Sequence, residues 1–423
     1  MTEIPFINQN LNILDFPSEI DTENNVKIYD SSSVENYYAI LSHFLHNPSL
    51  CTNPQQKLEI MGAILEFLKS KKENLKINPQ SYDEDFLNNV LNDPTQLTLF
   101  SDFFKVPYPN PKTPKFTFID LFAGIGGIRL PFTELGYGCV FSSEWDKHAQ
   151  QTYLANFGEM PFGDICKTST KKYIPPVFDV LLAGFPCQAF SIMGKMKGFE
   201  DTRGTLFFEV ASILKNKRPK AFVLENVKQL TSHDKGKTFE TILKTLDDLG
   251  YKYKWKVLNA LDFGLPQKRE RVIIVGFRDD GLINEFNFSF NKMPYNLNEI
   301  LEEDSKIDPS LFASEQILQK RIDRTKGKDI FYPSVWHENK SGNISILDYA
   351  CALRTGASYN YLLINGRRRP SSRELLRFQG FPDNYKIVVS HGEIRRQTGN
   401  SVAVPMIRQI AKKIDKILTT HYL

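Results

Sequence analysis

Four short segments hold residue types that can do chemistry. Gly184-Phe-Pro186-Cys187-Gln188-Ala-Phe-Ser191 follows the apolar run FDVLLA and so places one cysteine at the end of a strand. A thiolate there can serve as a nucleophile; the alternative is a buried, inert cysteine. Asp120-Leu-Phe-Ala-Gly124-Ile-Gly126-Gly127 ends another run in a glycine-rich turn, where the backbone can approach a ligand closely. Glu144 stands about 20 positions on, where an acid can hold ribose hydroxyls. Alone, this turn is compatible with NAD, FAD, S-adenosylmethionine or a tight structural bend. Glu225-Asn226-Val227 and Gln267-Lys-Arg269-Glu-Arg271 supply an acid and two guanidinium groups, and each in isolation also reads as structural or solvated.

These segments need a frame. From Phe116 onward, short β-rich runs alternate with helical stretches: FTFIDLF, GCVFSSE, FDVLLAG, AFVLENV, YKWKVLNAL and RVIIVGF. Such alternation predicts a mainly parallel sheet covered by helices, with ligands gathering beyond the carboxyl ends of its strands. Ahead of it, SVENYYAILSHFLHN and QQKLEIMGAILEFLKSKKENL space apolar residues three and four apart, which predicts a helical extension. Prolines 107, 109, 111 and 114 place a boundary near residue 113.

The chain has 423 residues, enough for several domains and a large core without disulfides. Its five cysteines show no CxxC pairing, which argues against a zinc site or a disulfide framework and for a reducing, cytoplasmic setting. No apolar run reaches the roughly 18 residues of a membrane span. The formal charge of +4 hides a split, because residues 1–110 carry 15 acidic and 7 basic side chains. The remainder, with 46 basic against 34 acidic, is where a polyanion would be held or where solvated lysines gather.

Taken together, the segments resemble the DNA cytosine-5 methyltransferase family, in its Dcm-like bacterial type. The matching motifs run in order: DLFAGIGG (120–127), SEWD (143–146), GDI (163–165), GFPCQAFS (184–191), GTLFFEV (204–210), ENV (225–227), QKRER (267–271), RPSSRELLRFQGFPD (369–383) and QTGNSVAVP (397–405). The resemblance spans roughly 116–418 apart from 279–366. It implies a Rossmann-like, S-adenosylmethionine-dependent α/β fold with a mostly parallel seven-stranded sheet. It also implies a catalytic domain over 114–278 and 367–423, a small target-recognition domain over 279–366, and the helical extension over 1–113.

Carbon 5 of cytosine is a poor nucleophile until a thiolate adds at carbon 6, and Cys187 is the expected nucleophile. Glu225 is the expected acid near ring nitrogen 3, kept protonated in a dry pocket. The resemblance implies that Arg271 touches the cytosine O2 and steadies Glu225, and that Arg269 contacts backbone or phosphate. The residue that removes the carbon 5 proton is not assigned. For the methyl donor, S-adenosylmethionine, the resemblance implies Phe122 on the adenine and Gly124, Gly126 and Gly127 along the methionine portion. Glu144 goes to the ribose, Trp145 beside the adenine, Asp164 to the adenine amino group, and Asn400 and Ser401 to the far wall.

A base within a duplex must be swung out to be reached, so double-stranded DNA is the expected partner and the protein must clamp it. Gln188, Ser191, Arg324, Arg354 and Arg369 are assigned to DNA. Lys320, Arg321, Lys326, Lys328, Trp336, His337 and Lys340 are further candidates for reading it, and Arg367, Arg368 and Arg373 for holding phosphate. No metal is needed, and His43 and His46 are read as ordinary helix residues. A monomer, with a companion restriction endonuclease acting on the same site, fits the resemblance; the acidic extension could prop the catalytic domain, oligomerise or bind a partner. A nicotinamide dehydrogenase would not need Pro-Cys-Gln and ENV on adjacent strands, and a silent homologue would lack motifs that stand intact here. An RNA cytosine methyltransferase is the alternative, although its family's Cys-Phe-Thr element is missing.

Overall fold

The computed structural model describes residues 37–47, 59–60, 62–64, 67, 101–186 and 206–423. Helix α1 (Tyr37–His46) comes first. The central layer then alternates β1 (Phe116–Leu121), α2 (Arg129–Glu134), β2 (Tyr137–Ser143), α3 (Lys147–Phe157), β3 (Val180–Gly184), α4 (Leu206–Lys217), β4 (Ala221–Val227), α5 (Lys237–Asp248) and β5 (Lys252–Asn259). A two-residue strand β6 (Gln267–Lys268) precedes β7 (Glu270–Phe277).

All six apolar runs form strands of one sheet, ordered β2-β1-β3-β4-β7-β5. Strands β2, β1, β3 and β4 are parallel; β7 runs antiparallel to both β4 and β5. The expected α/β sheet therefore stands, with six strands among the described residues where seven were expected. The seventh position, outside β2, holds only a single bridge between Ser143 and Phe162.

Strands β2, β1, β3, β4 and β7 are buried on both faces, which is why they read as nearly continuous apolar runs, whereas the edge strand β5 is largely exposed. Side chains alternate between two cores. Ile119, Leu121, Leu181, Ala183, Phe222, Leu224 and Ile274 face one side, under α1, α4 and α5. Phe118, Val180, Leu182, Val223, Ile273 and Val275 face the other, where the last helix, α9 (Val404–Tyr422), lays Ile407, Ile410, Ile414 and Ile417 against them.

After β7, helix α6 (Glu315–Arg324) leads to a small antiparallel sheet of β11 (Leu362–Ile364), β8 (Val335–Glu338) and β9 (Ile344–Leu347). Strand β10 (Ala350–Cys351) leaves it to pair with β6. The chain returns through α7 (Ser372–Phe378) and α8 (His391–Asn400). Ser371 and Glu374 form a reciprocal capping box that starts α7 inside the RPSSRELL motif. No described helix is long and apolar enough to cross a membrane.

Candidate active site

The reversed strand β7 assembles the catalytic edge. Because it runs against β4, its first residues lie level with the last residues of β3 and β4. Glu225 pairs with Gly184 on one side and with Ile273 on the other. Arg271, two residues before Ile273, projects on the same face, and its Nε lies 2.9 Å from Oε1 of Glu225. Burial raises the Glu225 carboxyl above its ordinary range, and Arg271 and Arg269 offset part of that rise. Gly184 has no side chain to fill the space in front of this acid: a Cβ there would stand 3.5 Å from its Oε2.

Cys187, Gln188 and Ser191 lie outside the described residues. Their approach is described as far as Pro186. The buried amide of Asn226 donates to the carbonyl of Phe185 at 2.9 Å, so the ENV motif ties the chain that leaves β3.

Arg269 has a different place from its neighbour. It is 1% exposed and donates to the carbonyls of Leu353, Gly399 and Ser401. Burial, with Arg271 nearby, lowers it to about 9. This geometry supports the backbone reading and gives no support to a phosphate contact or a direct catalytic role: Arg269 joins the variable region to the returning segment. Gln267 does similar work, donating to the Phe378 carbonyl and accepting from the Leu353 amide.

The second half of the site lies at the ends of β1 and β2. Phe122 and Gly124 both adopt positive φ, and Gly124 faces open space with nothing within 4 Å of a Cβ there. Gly126, by contrast, has φ +75° and a Cβ position 2.2 Å from the Phe157 ring, so no side chain fits. Glu144 turns back to this loop, its carboxylate accepting from the amides of Gly124 at 2.7 Å and Asp146 at 2.9 Å. Burial raises the Glu144 carboxyl and those amides counter it.

Beside it, Trp145 is 78% exposed, an unpacked indole face at the mouth of the turn. Asp146 caps α3 through the Ala149 amide. Asp164 follows the Phe162 bridge and accepts from the Cys166 amide. Ser401 approaches from the far end of the chain, its Oγ 2.8 Å from the position of a Gly127 Cβ, with Asn400 exposed next to it.

Several supports had no clear sequence signal. Arg129 and Glu159 form a fully buried bidentate pair at 2.9 and 3.0 Å beneath the turn, with the guanidinium over the rings of Tyr153 and Phe157. Burial would raise the Glu159 carboxyl, yet Arg129 holds it below its usual range. The one hint was a charge inside the apolar stretch GIRLPF. Tyr153 donates to buried Asp120, whose carboxyl burial pushes up to about 8. The hydroxyl of Tyr385 donates to the Ile125 carbonyl inside the glycine turn.

In the variable region the positive charges sort into two groups. Arg321 and Trp336 are 2% and 3% exposed and belong to the local core, Arg321 against Glu338 and Trp336 bonded to Ser334. Arg368 is 1% exposed between Asp304 and Glu374, and Arg373 donates to the Tyr385 carbonyl. The expected base-reading role of Arg321 and Trp336, and the phosphate role of Arg368, are therefore corrected: each is buried and engaged by partners within the protein, Arg321 through one of its two terminal nitrogens.

Lys320, Arg324, Lys340 and Arg354 instead line a cleft of about 670 Å³. Arg324 is still shared with Glu338 at 2.8 Å. Lys326 pairs with Asp323, Lys328 bonds to the Ile344 carbonyl, and His337 meets Arg354 at 3.3 Å. Arg367 is exposed. Arg369 bonds to Asn360 and Ser310 and stacks on Tyr359, with Arg395 on the same ring.

Residues 116–416 match the model of C-5 cytosine-specific DNA methylases. The chain is 56% identical over 304 residues to the Type II methyltransferase M.NgoBI of Neisseria gonorrhoeae, spanning 71% of this chain and 93% of that protein. It is 57% identical over 293 residues to M.HaeII of Haemophilus aegyptius, spanning 69% and 91%. Among solved structures, a DNMT2 of Spodoptera frugiperda is similar at a TM-score of 0.53 and 21% identity, over 71% of this chain and 99% of that one; this likeness concerns the fold alone.

Proposed function

The chain belongs to the C-5 cytosine-specific DNA methylase family and is an enzyme of that type, and from that premise we propose a covalent mechanism on a cytosine flipped out of double-stranded DNA. The observation that carries it is the buried Glu225–Arg271 pair at the end of β4, facing the side-chain-free Gly184 that leads toward Cys187. The Cys187 thiolate adds to carbon 6, forming the S–C bond as the ring's electron density shifts to carbon 5. Glu225, its carboxyl raised by burial, supplies the proton or hydrogen bond at nitrogen 3, and Arg271 holds Glu225 and the O2 edge. After transfer, loss of the carbon 5 proton expels the thiolate.

We place S-adenosylmethionine at the ends of β1 and β2. The backbone at Gly124 faces open space, a carboxylate is anchored at Glu144, an unpacked indole stands at Trp145, and Ser401 closes the opposite side. Bound there, the donor supplies a methyl group already activated on a sulfonium. Phe122, Trp145 and Asp164 would frame its adenine and Glu144 its ribose.

We read 279–366 as the target-recognition region, its cleft of Lys320, Arg324, Lys340 and Arg354 set toward the DNA. The Type II relatives make a companion endonuclease acting on the same sequence part of this reading. The test is incubation of the full chain with S-adenosylmethionine and duplex DNA carrying 5-fluorocytosine, after bisulfite sequencing has identified the modified sequence. A denaturation-resistant adduct on Cys187, absent in Cys187→Ser, is expected. An adduct elsewhere, or none with DNA that the enzyme methylates, sinks the covalent reading.

A further inference from the structure

The stretch ahead of residue 116 lies outside the family match, yet part of it is built into the sheet. Every residue of α1 from Tyr37 to Leu45 is buried, in the same apolar core as Ile119, Leu121 and Phe141. His43 of this helix, Asn47 just beyond it and Asn110 further along reach the outer edge of β2, the edge where another strand would otherwise add. Edge strands leave a row of unpaired N–H and C=O groups. Here side chains meet the Cys139 amide and carbonyl and the Ser142 amide of that row.

Asn110 accepts from the Cys139 amide at 2.9 Å and donates to its carbonyl at 2.7 Å, and Asn47 donates to the same carbonyl at 2.9 Å. A bulge then intervenes: Phe118 pairs with Cys139 and Ile119 with Phe141, leaving Val140 extra. One added residue reverses which groups face outward. After it, the amide of Ser142 points to the edge and donates to Nε2 of His43 at 3.2 Å. Main-chain bonds follow at once, from Phe162 to the Ser142 carbonyl and from Glu144 to the Phe162 carbonyl, both 2.8 Å.

The acceptor role of His43 Nε2 is set by its other nitrogen, which lies 2.9 Å from the Ala39 carbonyl and so carries the proton. Burial lowers the ring to about 4, against the opposing pull of Glu159 at 3.7 Å, which keeps it neutral. Two further bonds lock the helix to the same region. Ser42 accepts from the Met160 amide at 2.8 Å, and His46 lies 3.2 Å from the carbonyl of Gly158, at the end of α3.

We propose that the N-terminal extension is part of the methyl-donor site, with His43 a positioning residue that fixes the Ser142–Glu144 peptides so that Glu144 presents its carboxylate to the donor's ribose. This inference rests on the donor pocket proposed above. Only Ser143 stands between Ser142, which holds the His43 bond, and Glu144, and the Glu144 carboxylate in turn holds the Gly124 amide, so a loosened β2 end loosens both walls of the pocket.

The test compares full-length wild type, His43→Leu and His43→Gln by calorimetric titration with S-adenosylmethionine and by DNA binding. Leucine removes the acceptor, whereas the glutamine carbonyl can replace it. A coupling of ordinary size weakens donor binding by about tenfold in His43→Leu, with His43→Gln near wild type and DNA affinity unchanged. Donor affinity within about twofold of wild type in His43→Leu overturns the positioning role, and so does a matching loss of DNA affinity, which marks general loosening. Failure of the wild type itself to bind S-adenosylmethionine overturns the donor reading instead. Should His43→Leu be insoluble, hydrogen exchange of the wild-type chain decides. Donor that slows exchange in 37–47 together with 142–146 supports the coupling, because linkage is reciprocal, and slowing confined to the pocket overturns it.

Discussion

The side-chain amide of Asn226 donates to the carbonyl oxygen of Phe185 at 2.9 Å, so the strand that carries Glu225 also holds the chain two residues before Cys187. The proposed acid and the chain leading toward the proposed nucleophile thus share β4 as a reference as far as Phe185. Replacing Asn226 with leucine frees the Phe185 carbonyl while leaving the donor pocket untouched. Single-turnover kinetics should show a fall in kcat of roughly 100-fold, the scale expected for misplacing a reacting group by about 1 Å. Titration should show unchanged S-adenosylmethionine affinity.

The pair Glu225–Arg271 makes a pH prediction with a definite sign. In the proposed mechanism the acid form of Glu225 is the one used, so the rate should fall as pH rises through its value, which burial has raised. Arg271 offsets that rise. In Arg271→Leu the larger part of the offset disappears, leaving that of Arg269, and the alkaline limb of the kcat profile should move to higher pH, although the rate itself drops. A limb that stays in place or moves down would assign it to another group. Glu225→Gln should lower kcat by about 10²- to 10⁴-fold, the range associated with general acid catalysis, and should abolish the limb.

Glu144→Ala removes a carboxylate that holds the Gly124 and Asp146 amides and that faces the proposed ribose position. Losing hydrogen bonds to a charged group costs roughly 1.5–3 kcal/mol, or about 10- to 100-fold in donor affinity. DNA affinity, measured separately, should change far less.

Asp120 predicts a stability effect. Its folded carboxyl titrates at about 8 because burial disfavours the charge, with Arg129 and Tyr153 opposing. An acid that holds its proton more tightly when folded destabilises the fold progressively as pH rises from the ordinary carboxyl range toward 8. Asp120→Asn keeps an acceptor for the Tyr153 hydroxyl and loses that dependence. Its Tm relative to wild type should therefore rise between pH 5 and pH 8.

Arg269→Met leaves the carbonyls of Leu353, Gly399 and Ser401 without the donor they share. The Leu353 bond is buried and the other two are partly buried; a stranded buried acceptor costs about 1–3 kcal/mol, and a loss on that scale is expected by urea denaturation. Arg269→Lys should rescue little, since an ammonium cannot reproduce the spread of the guanidinium.

What the sequence determined by itself was local in origin. Six apolar runs became six strands, the glycine turn and the ENV and QKRER motifs fell at strand ends, and SEWD and RPSSRELL carried their own helix caps. Such features depend on backbone propensity and on burial of both sheet faces, which periodicity records. Tertiary structure decided how distant segments meet. Only the reversal of β7 brings Arg271 to Glu225, and only chain return brings Ser401 to Gly127. Whether a charge reads DNA or satisfies the interior was likewise invisible in the sequence: Arg321, Arg368 and Arg269 resemble surface arginines until their buried partners are known. The same holds for His43, an ordinary helix residue by spacing, whose acceptor nitrogen finds its donor 99 positions away. A hydrogen bond between remote residues leaves no period in either segment, so its existence is settled only when the chain is folded.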